Sequence, residues 1–161
     1  MTVINTPRIG AYWPEQGGIR IVEMPGQNGQ PSYDLILPIH PDAELGELEY
    51  GYYGKKIEGA DSDWDGLANT QALVAAGNHP AAEACAALTI EGHSDLYLPA
   101  RNELAVCYAI AREHFQRDWY WSSTQSSANY AFYQGFYYGG HDTDCKYNGT
   151  RVRPVRRLII Q

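Results

Sequence analysis

At Trp119 the chain changes character, and that change limits the folds open to it. Before it lie three helical stretches. Leu67 to Ala76 places Leu67, Thr70 and Val74 at helical spacing and runs into Gly77-Asn78, a stop signal. Pro80, well tolerated in a first helical turn, opens a second helix over Ala81 to Leu88. Residues 101–115 carry Leu104, Tyr108, Ile110, Ala111 and Phe115 on a mostly apolar face and form the clearest helix. From Trp119 to Thr150 the helix formers vanish, and Tyr, Ser, Asn, Gly and Phe take over. Strands are expected at Trp119 to Ser122, Ala131 to Phe136 and Arg151 to Ile159, with Tyr137 to Gly149 as the loop joining the last two. Residues 1–60 are rich in turn formers and add short strands at Gly18 to Val22 and Tyr33 to Ile39. The order is strands, helices, then strands, which argues for an α+β fold rather than alternating βαβ units.

The 161 residues suit one domain, 1–161, and no repeat or low-complexity linker divides them. No apolar run reaches the roughly 18 residues that a membrane span needs, so membrane insertion is not expected. Met1 to Gly10 lacks a basic segment followed by an apolar one, which predicts synthesis in the cytoplasm without a signal peptide, with transport outside possible on a virus particle. Net charge is −7, unevenly spread. Residues 1–118 hold 17 acids and 7 bases (−10), and residues 119–161 hold 2 acids and 5 bases (+3). The terminal arginines Arg151, Arg153, Arg156 and Arg157 are separated by Val152, Pro154 and Val155, read as an ordinary terminal strand, and are expected to pair with the acidic half. Nucleic acid is not indicated as a partner.

Motifs for catalysis are missing. The sequence has no glycine-rich phosphate loop, no H-E-x-x-H and no G-x-S-x-G around Ser122 and Ser123. His40, His79, His93, His114 and His141 lack ligand or relay spacing, and Cys85, Cys107 and Cys145 lack a metal pattern, so both sets read as structural. Glu103 and Glu113 lie on a helix without a complementary nucleophile. Asp61, Asp63, Asp65 and Gly66 match the start of a calcium loop, D-x-D-x-D-G, but the closing position is Ala72 instead of a bidentate glutamate. The expectation is a turn that caps the helix from Leu67, the alternative being that Asp61, Asp63 and Asp65 ligate calcium. No other cofactor is expected, and the chain reads as a non-enzyme.

Residues 126–149 are the most informative. Tyr130, Tyr133, Tyr137, Tyr138 and Tyr147 stand among Ser, Asn, Gly and Asp, the mixture antibody loops use: tyrosine gives a large amphipathic contact at small entropic cost, and the small polar residues adapt. Tyr130 to Phe136 alternates as a half-buried strand would, while Tyr137-Tyr138-Gly139-Gly140-His141-Asp142 does not. The candidate display face is Tyr130, Tyr133, Tyr137, Tyr138, His141, Asp142, Asp144, Tyr147 and Asn148.

Three landmarks carry a resemblance: Leu98-Pro99-Ala100-Arg101-Asn102-Glu103-Leu104, Trp119-Tyr120-Trp121-Ser122-Ser123-Thr124 and Arg151-Val152-Arg153-Pro154-Val155-Arg156-Arg157. Together they resemble a bacterial and phage domain family similar to the formylglycine-generating-enzyme branch of the C-type lectin fold. The resemblance covers residues 98–157. It implies about three helices on a twisted antiparallel sheet with long loops, the helix at 101–115 packing on a sheet that holds Trp119 to Ser122 and the terminal arginine strand. It also implies ligand binding by exposed loops. The paired active-site cysteines of the enzyme for which the branch is named have no counterpart here, nor have the Glu-Pro-Asn or Gln-Pro-Asp sugar-and-calcium motifs of animal lectins.

The chain further resembles the variable proteins of diversity-generating retroelements, in which adenine-directed mutation of Asn codons cannot yield Lys, Gln, Glu, Met or Trp. Residues 126–150 contain two of that set, Gln134 and Lys146, against 23 in residues 1–123. The function implied is phage- or prophage-encoded recognition of a protein or glycan on a cell surface. The rival expectation is a structural subunit of a virion or surface assembly that buries the same face against a partner.

Overall fold

The computed structural model describes residues 5–160. Residues 1–4 of the stretch read above for a signal peptide lie outside the described residues, as does Gln161. The chain is α+β, with three α-helices and two sheets. The first sheet joins β1 (Tyr12–Trp13), β2 (Gly18–Met24), β3 (Tyr33–Pro38) and β9 (Arg156–Ile159), all antiparallel. The second has the order β4-β8-β5-β6-β7, built from β4 (Glu47–Glu49), β8 (Gly149–Arg151), β5 (Trp119–Gln125), β6 (Tyr130–Gly135) and β7 (His141–Cys145). Its pairs are antiparallel except β5 with β8. The helices α1 (Gly66–Ala76), α2 (Pro80–Ala86) and α3 (Arg101–Ala111) lie between the two strand regions in sequence, as expected.

Two sequence expectations are corrected. The stretch Arg151 to Ile159 is not one strand: it breaks at Pro154, which has no N–H for a ladder, and passes from β8 in one sheet to β9 in the other. Of the terminal arginines in strands, Arg151 alone lies in the sheet that contains Trp119 to Ser122, and Arg156 and Arg157 lie in the other. The joining loop Tyr137 to Gly149 contains a strand of its own, β7, which adds to the edge of β6. Its sequence, His-Asp-Thr-Asp-Cys, lacks apolar alternation because water reaches both faces of this edge strand.

One core cluster joins the two sheets through α3. Ile19, Ile21 and Leu35 from the first sheet meet Leu104, Cys107 and Ala111 of α3, then Phe115, Tyr120 and Phe136 on the other side. Phe115 and Phe136 stack at 4.0 Å between ring centroids. A second cluster packs Leu73, Ala81, Ala82 and Cys85 of α1 and α2 against Tyr50, Leu98 and Trp121. Burial raises the thiol pKa of Cys85 and Cys107, consistent with inert core residues.

Glu103, fully buried, is the polar centre of this packing. One carboxyl oxygen accepts the N–H groups of Gly66 (2.9 Å) and Ala100 (3.0 Å), the second of which is an otherwise orphan donor at the start of α3. The other accepts the hydroxyls of Tyr33 (2.8 Å) and Tyr97, with the Arg157 guanidinium 3.7 Å away. Burial pushes the carboxyl pKa up, and Tyr97, Arg157, Ala100 and Tyr33 pull against that. Arg157 also lies over the rings of Tyr33 and Tyr97. The other terminal arginines pair with acids of the first 118 residues as expected: Arg156 with Asp95, Arg151 with Asp118 and Glu44, Arg153 with Glu44.

His79 is fully buried, its ring edge-on to Tyr50. Burial lowers its pKa, against the raising influence of the Leu73 and Gly77 carbonyls. A histidine kept neutral in the fold but free to charge when unfolded costs stability once the pH falls below its ordinary value near 6.5, and the loss grows until the folded-state value is passed. The melting temperature of His79→Phe is therefore expected to gain on wild type as the pH is lowered from 7.5 to 5. A constant difference between the two across that range would contradict this account.

Candidate functional site

The candidate display face is organised by the β5–β6–β7 register. Trp119 lies opposite Gly135, Trp121 opposite Tyr133, Tyr133 opposite Asp142, and Ala131 opposite Asp144. Because side chains alternate across a strand, Trp119, Tyr133, Asp142 and Asp144 share one face. Trp119 and Tyr133 stack, with centroids 4.2 Å apart and planes 23° from parallel. The indole covers Gly135, where a Cβ would meet ring atoms at 3.3 Å, so the missing side chain makes room for the stack. Burial, then Asp144 and Asp142, raise the pKa of Tyr133.

The turn from β6 to β7 continues this surface. It is closed by Gly139 N–H to Gly135 O (3.1 Å) and Gly135 N–H to Gly140 O (2.8 Å). Gly139 has a φ of +81°, and a Cβ there would lie 2.7 Å from the Tyr108 ring, so glycine is required twice over. On this turn Tyr138 is 86% exposed and meets Tyr137 edge-to-face at 4.2 Å, while the Arg117 guanidinium lies 4.1 Å from the Tyr137 ring centroid. Trp119 stands between two shallow grooves. One of about 230 Å³ runs towards Arg117, Tyr137, Tyr138 and Gly140, and one of about 240 Å³ towards Tyr133, Asp144, Glu47 and Arg151.

The structure thus brings together Tyr133, Tyr137, Tyr138, Asp142 and Asp144 of the nine candidates, around Trp119. Asn148 is tied in through its amide, which donates to Asp144 (3.0 Å). Tyr130 and Tyr147 are exposed but sit at the other end of the β6–β7 hairpin, where Tyr147 packs on Tyr53 at 4.8 Å. His141 lies opposite Gln134, on the reverse face with Phe132, under whose ring-bound Arg101 its pKa is lowered, first by burial and then by that charge. So six of the nine side chains, Tyr133, Tyr137, Tyr138, Asp142, Asp144 and Asn148, belong to one surface; Tyr130, opposite Cys145, and His141 point to the reverse face, and Tyr147 packs at the far end of the hairpin.

Sequence reasoning missed Trp119, Asp118, Arg117 and Glu47. Trp-Tyr-Trp in a strand signals that Trp119 and Trp121 share a face, yet nothing local tells that Trp121 is fully buried and Trp119 is 36% exposed. Glu47 arrives by the pairing of β4 with β8, about a hundred residues away in sequence, and carries no local signal.

The aspartate loop does not converge on a cation. Asp61 accepts from Gln125 (2.8 Å), Asp63 lies 3.8 Å from Arg101, and Asp65 accepts from the Ala68 N–H as the cap of α1 (3.0 Å) and pairs with Arg157 (3.2 Å). Three carboxylates committed to three separate partners do not fit calcium, and among the described residues no group of three or more His, Cys, Asp or Glu side chains could hold a metal ion. The turn instead knits helices together: Asn69 bonds both ways with Ser62, and the Asp63 carbonyl accepts from Asn102 at the start of α3.

A larger groove of about 670 Å³ lies elsewhere, along α1 and β9, lined by Leu67, Val74, Leu96 and Ile159. Its charged residues are already paired, Asp95 with Arg156 and Arg157 with Asp65. No protein-family model matches the chain, and no curated protein matches it.

Proposed function

We propose that the chain is a non-enzymatic recognition domain of the C-type-lectin-like kind, which binds a protein or glycan on a cell surface through the aromatic face of β5, β6 and β7. The observation that carries this reading is the placement of exposed rings. Among the described residues eleven large hydrophobics are exposed to solvent; three of them, Trp119, Tyr137 and Tyr138, stand together on this face beside the half-buried Tyr133, and Tyr53, Tyr130 and Tyr147 form a second aromatic group at the far end of the hairpin. Aromatic side chains held open on a rigid sheet, with small polar neighbours, supply contact area at little further entropic cost.

The retroelement reading, with phage or prophage origin, draws support from burial. The two residues of 126–150 that adenine-directed change of an Asn codon cannot produce, Gln134 and Lys146, are both buried, while the exposed positions hold residue types it can produce. Lys146 donates to Lys55 O (3.0 Å) and Gln125 Oε1 (3.1 Å), and burial lowers its pKa to about 8, so it acts as scaffold beneath the face.

The test is a screen of the purified domain against glycan and bacterial-surface arrays, with Tyr137→Ala/Tyr138→Ala alongside. A ligand captured by wild type and lost in the double variant, at a melting temperature within about 3 °C of wild type as expected for exposed sites, supports the reading. Capture unaffected by the double change, or a collapse in stability, counts against it.

A further inference from the structure

Resting on that reading, we propose that the Trp119–Tyr133 platform takes a guanidinium group, so that the partner is a protein segment presenting arginine. Charge and ring geometry point the same way. Glu47, Asp142 and Asp144 lie around the stacked pair, and the cation that lines the same groove, Arg151, is held by Asp118 and Glu44, so those three carboxylates have no ionic partner among the described residues. Asp144 spends one oxygen on the Cys145 N–H and the Asn148 amide, and its other oxygen is free to accept. A neutral glycan could stack on the rings and donate hydroxyls to the carboxylates, but it would leave their three charges uncompensated. A guanidinium uses both, because its flat face lies on an aromatic ring while its edge N–H groups reach carboxylates.

The sheet already binds this group internally. Arg117 lies 4.1 Å from the Tyr137 centroid on the same surface, and Arg101 lies 3.7 Å from the Phe132 centroid on the reverse face. Arg117 flanks the platform without covering it: Trp119 is 36% exposed, and Glu47 and Asp142 are exposed.

The experiment is a fluorescence titration of the full chain with acetyl-Gly-Arg-Gly-Arg-Gly-amide, and with the same peptide carrying citrulline for arginine, which keeps the shape and removes the charge. Wild type is expected to bind the arginine peptide at least about tenfold more tightly than the citrulline one, with binding weakened by salt. Three variants separate a built site from a diffuse negative field. Trp119→Ala keeps every charge and is expected to lose binding, while Trp119→Phe keeps a ring and retains most of it. Glu47→Gln/Asp142→Asn/Asp144→Asn keeps the rings and the hydrogen-bond acceptors and is also expected to lose it.

Equal binding by Trp119→Ala and wild type, equal binding of the two peptides, or no binding of the arginine peptide at low salt would each overturn the proposal. In each case an array ligand still lost in Tyr137→Ala/Tyr138→Ala leaves the recognition reading standing with a partner of different chemistry.

Discussion

Replacing Glu103 by alanine is expected to remove about 4 kcal/mol of stability, as loss of one partner from a buried charged network does. For a chain of this length that corresponds to a fall of roughly 10 °C in melting temperature. The side chain is fully buried and serves four hydrogen-bond donors from three separate segments, Tyr33 of β3, the Gly66 amide of α1, and Tyr97 with the Ala100 amide before α3. Truncation strands all four and leaves the Arg157 guanidinium over Tyr33 and Tyr97 without its inner carboxylate. Glu103→Gln fills the same space but turns an NH₂ towards groups that only donate or prefer to, so it is expected to fall between wild type and alanine. Urea unfolding of the three proteins checks the order, and an alanine variant within about 1 kcal/mol of wild type would mean that the network stabilises nothing.

The second large effect is expected at Gly51, for a different reason. Its φ is +106°, a backbone region that side chains with a Cβ rarely adopt, and a Cβ there would sit 2.1 Å from the Asn78 carbonyl and 2.8 Å from the His79 Cα. Both obstacles are backbone, so no rotamer change relieves them. Gly51→Ala is expected to cost about 3 kcal/mol or more, combining strain at a special φ with overpacking. By contrast Gly54 also has a positive φ, +91°, but no neighbour within 4 Å of its would-be Cβ, so Gly54→Ala is expected to cost only the conformational penalty, about 1 kcal/mol. Thermal unfolding of the pair separates clash from conformation, and equal losses would contradict the geometry.

Much of the fold could be read from local chemistry. Gly77 after Ala76, Pro80 at a helix start, and the apolar face from Leu104 onwards mark α1, α2 and α3 because capping and periodicity are local properties. The run Tyr33 to Pro38 is buried along its whole length and reads as a strand for that reason. What was not legible depends on pairing at a distance. Pro154 was read inside a single strand, and both the break there and the path after it, into a second sheet beside β3, are decided by core packing. The polar edge strand β7 has no hydrophobic signature, since its ladder with β6 and not its side chains holds it. The candidate site divides the same way. Tyrosine-rich composition located five of its members, whereas Trp119 and Glu47 join it through cross-strand register that composition does not encode. The aspartate loop could be read as a helix-capping turn because capping is local, and Asp65 caps α1, whereas the separate partners of the other two carboxylates are set by the fold.

The central claim, that this face and no other meets the ligand, is tested most directly by hydroxyl-radical footprinting of the domain alone and bound to a target from the array screen. Oxidation at Trp119, Tyr137 and Tyr138 is expected to fall on binding, while the exposed rings of Tyr12 and Trp64, which lie outside the face, stay as reactive as in the free protein. Protection of Tyr12 or Trp64 with Trp119, Tyr137 and Tyr138 unchanged would place the ligand elsewhere and contradict the account.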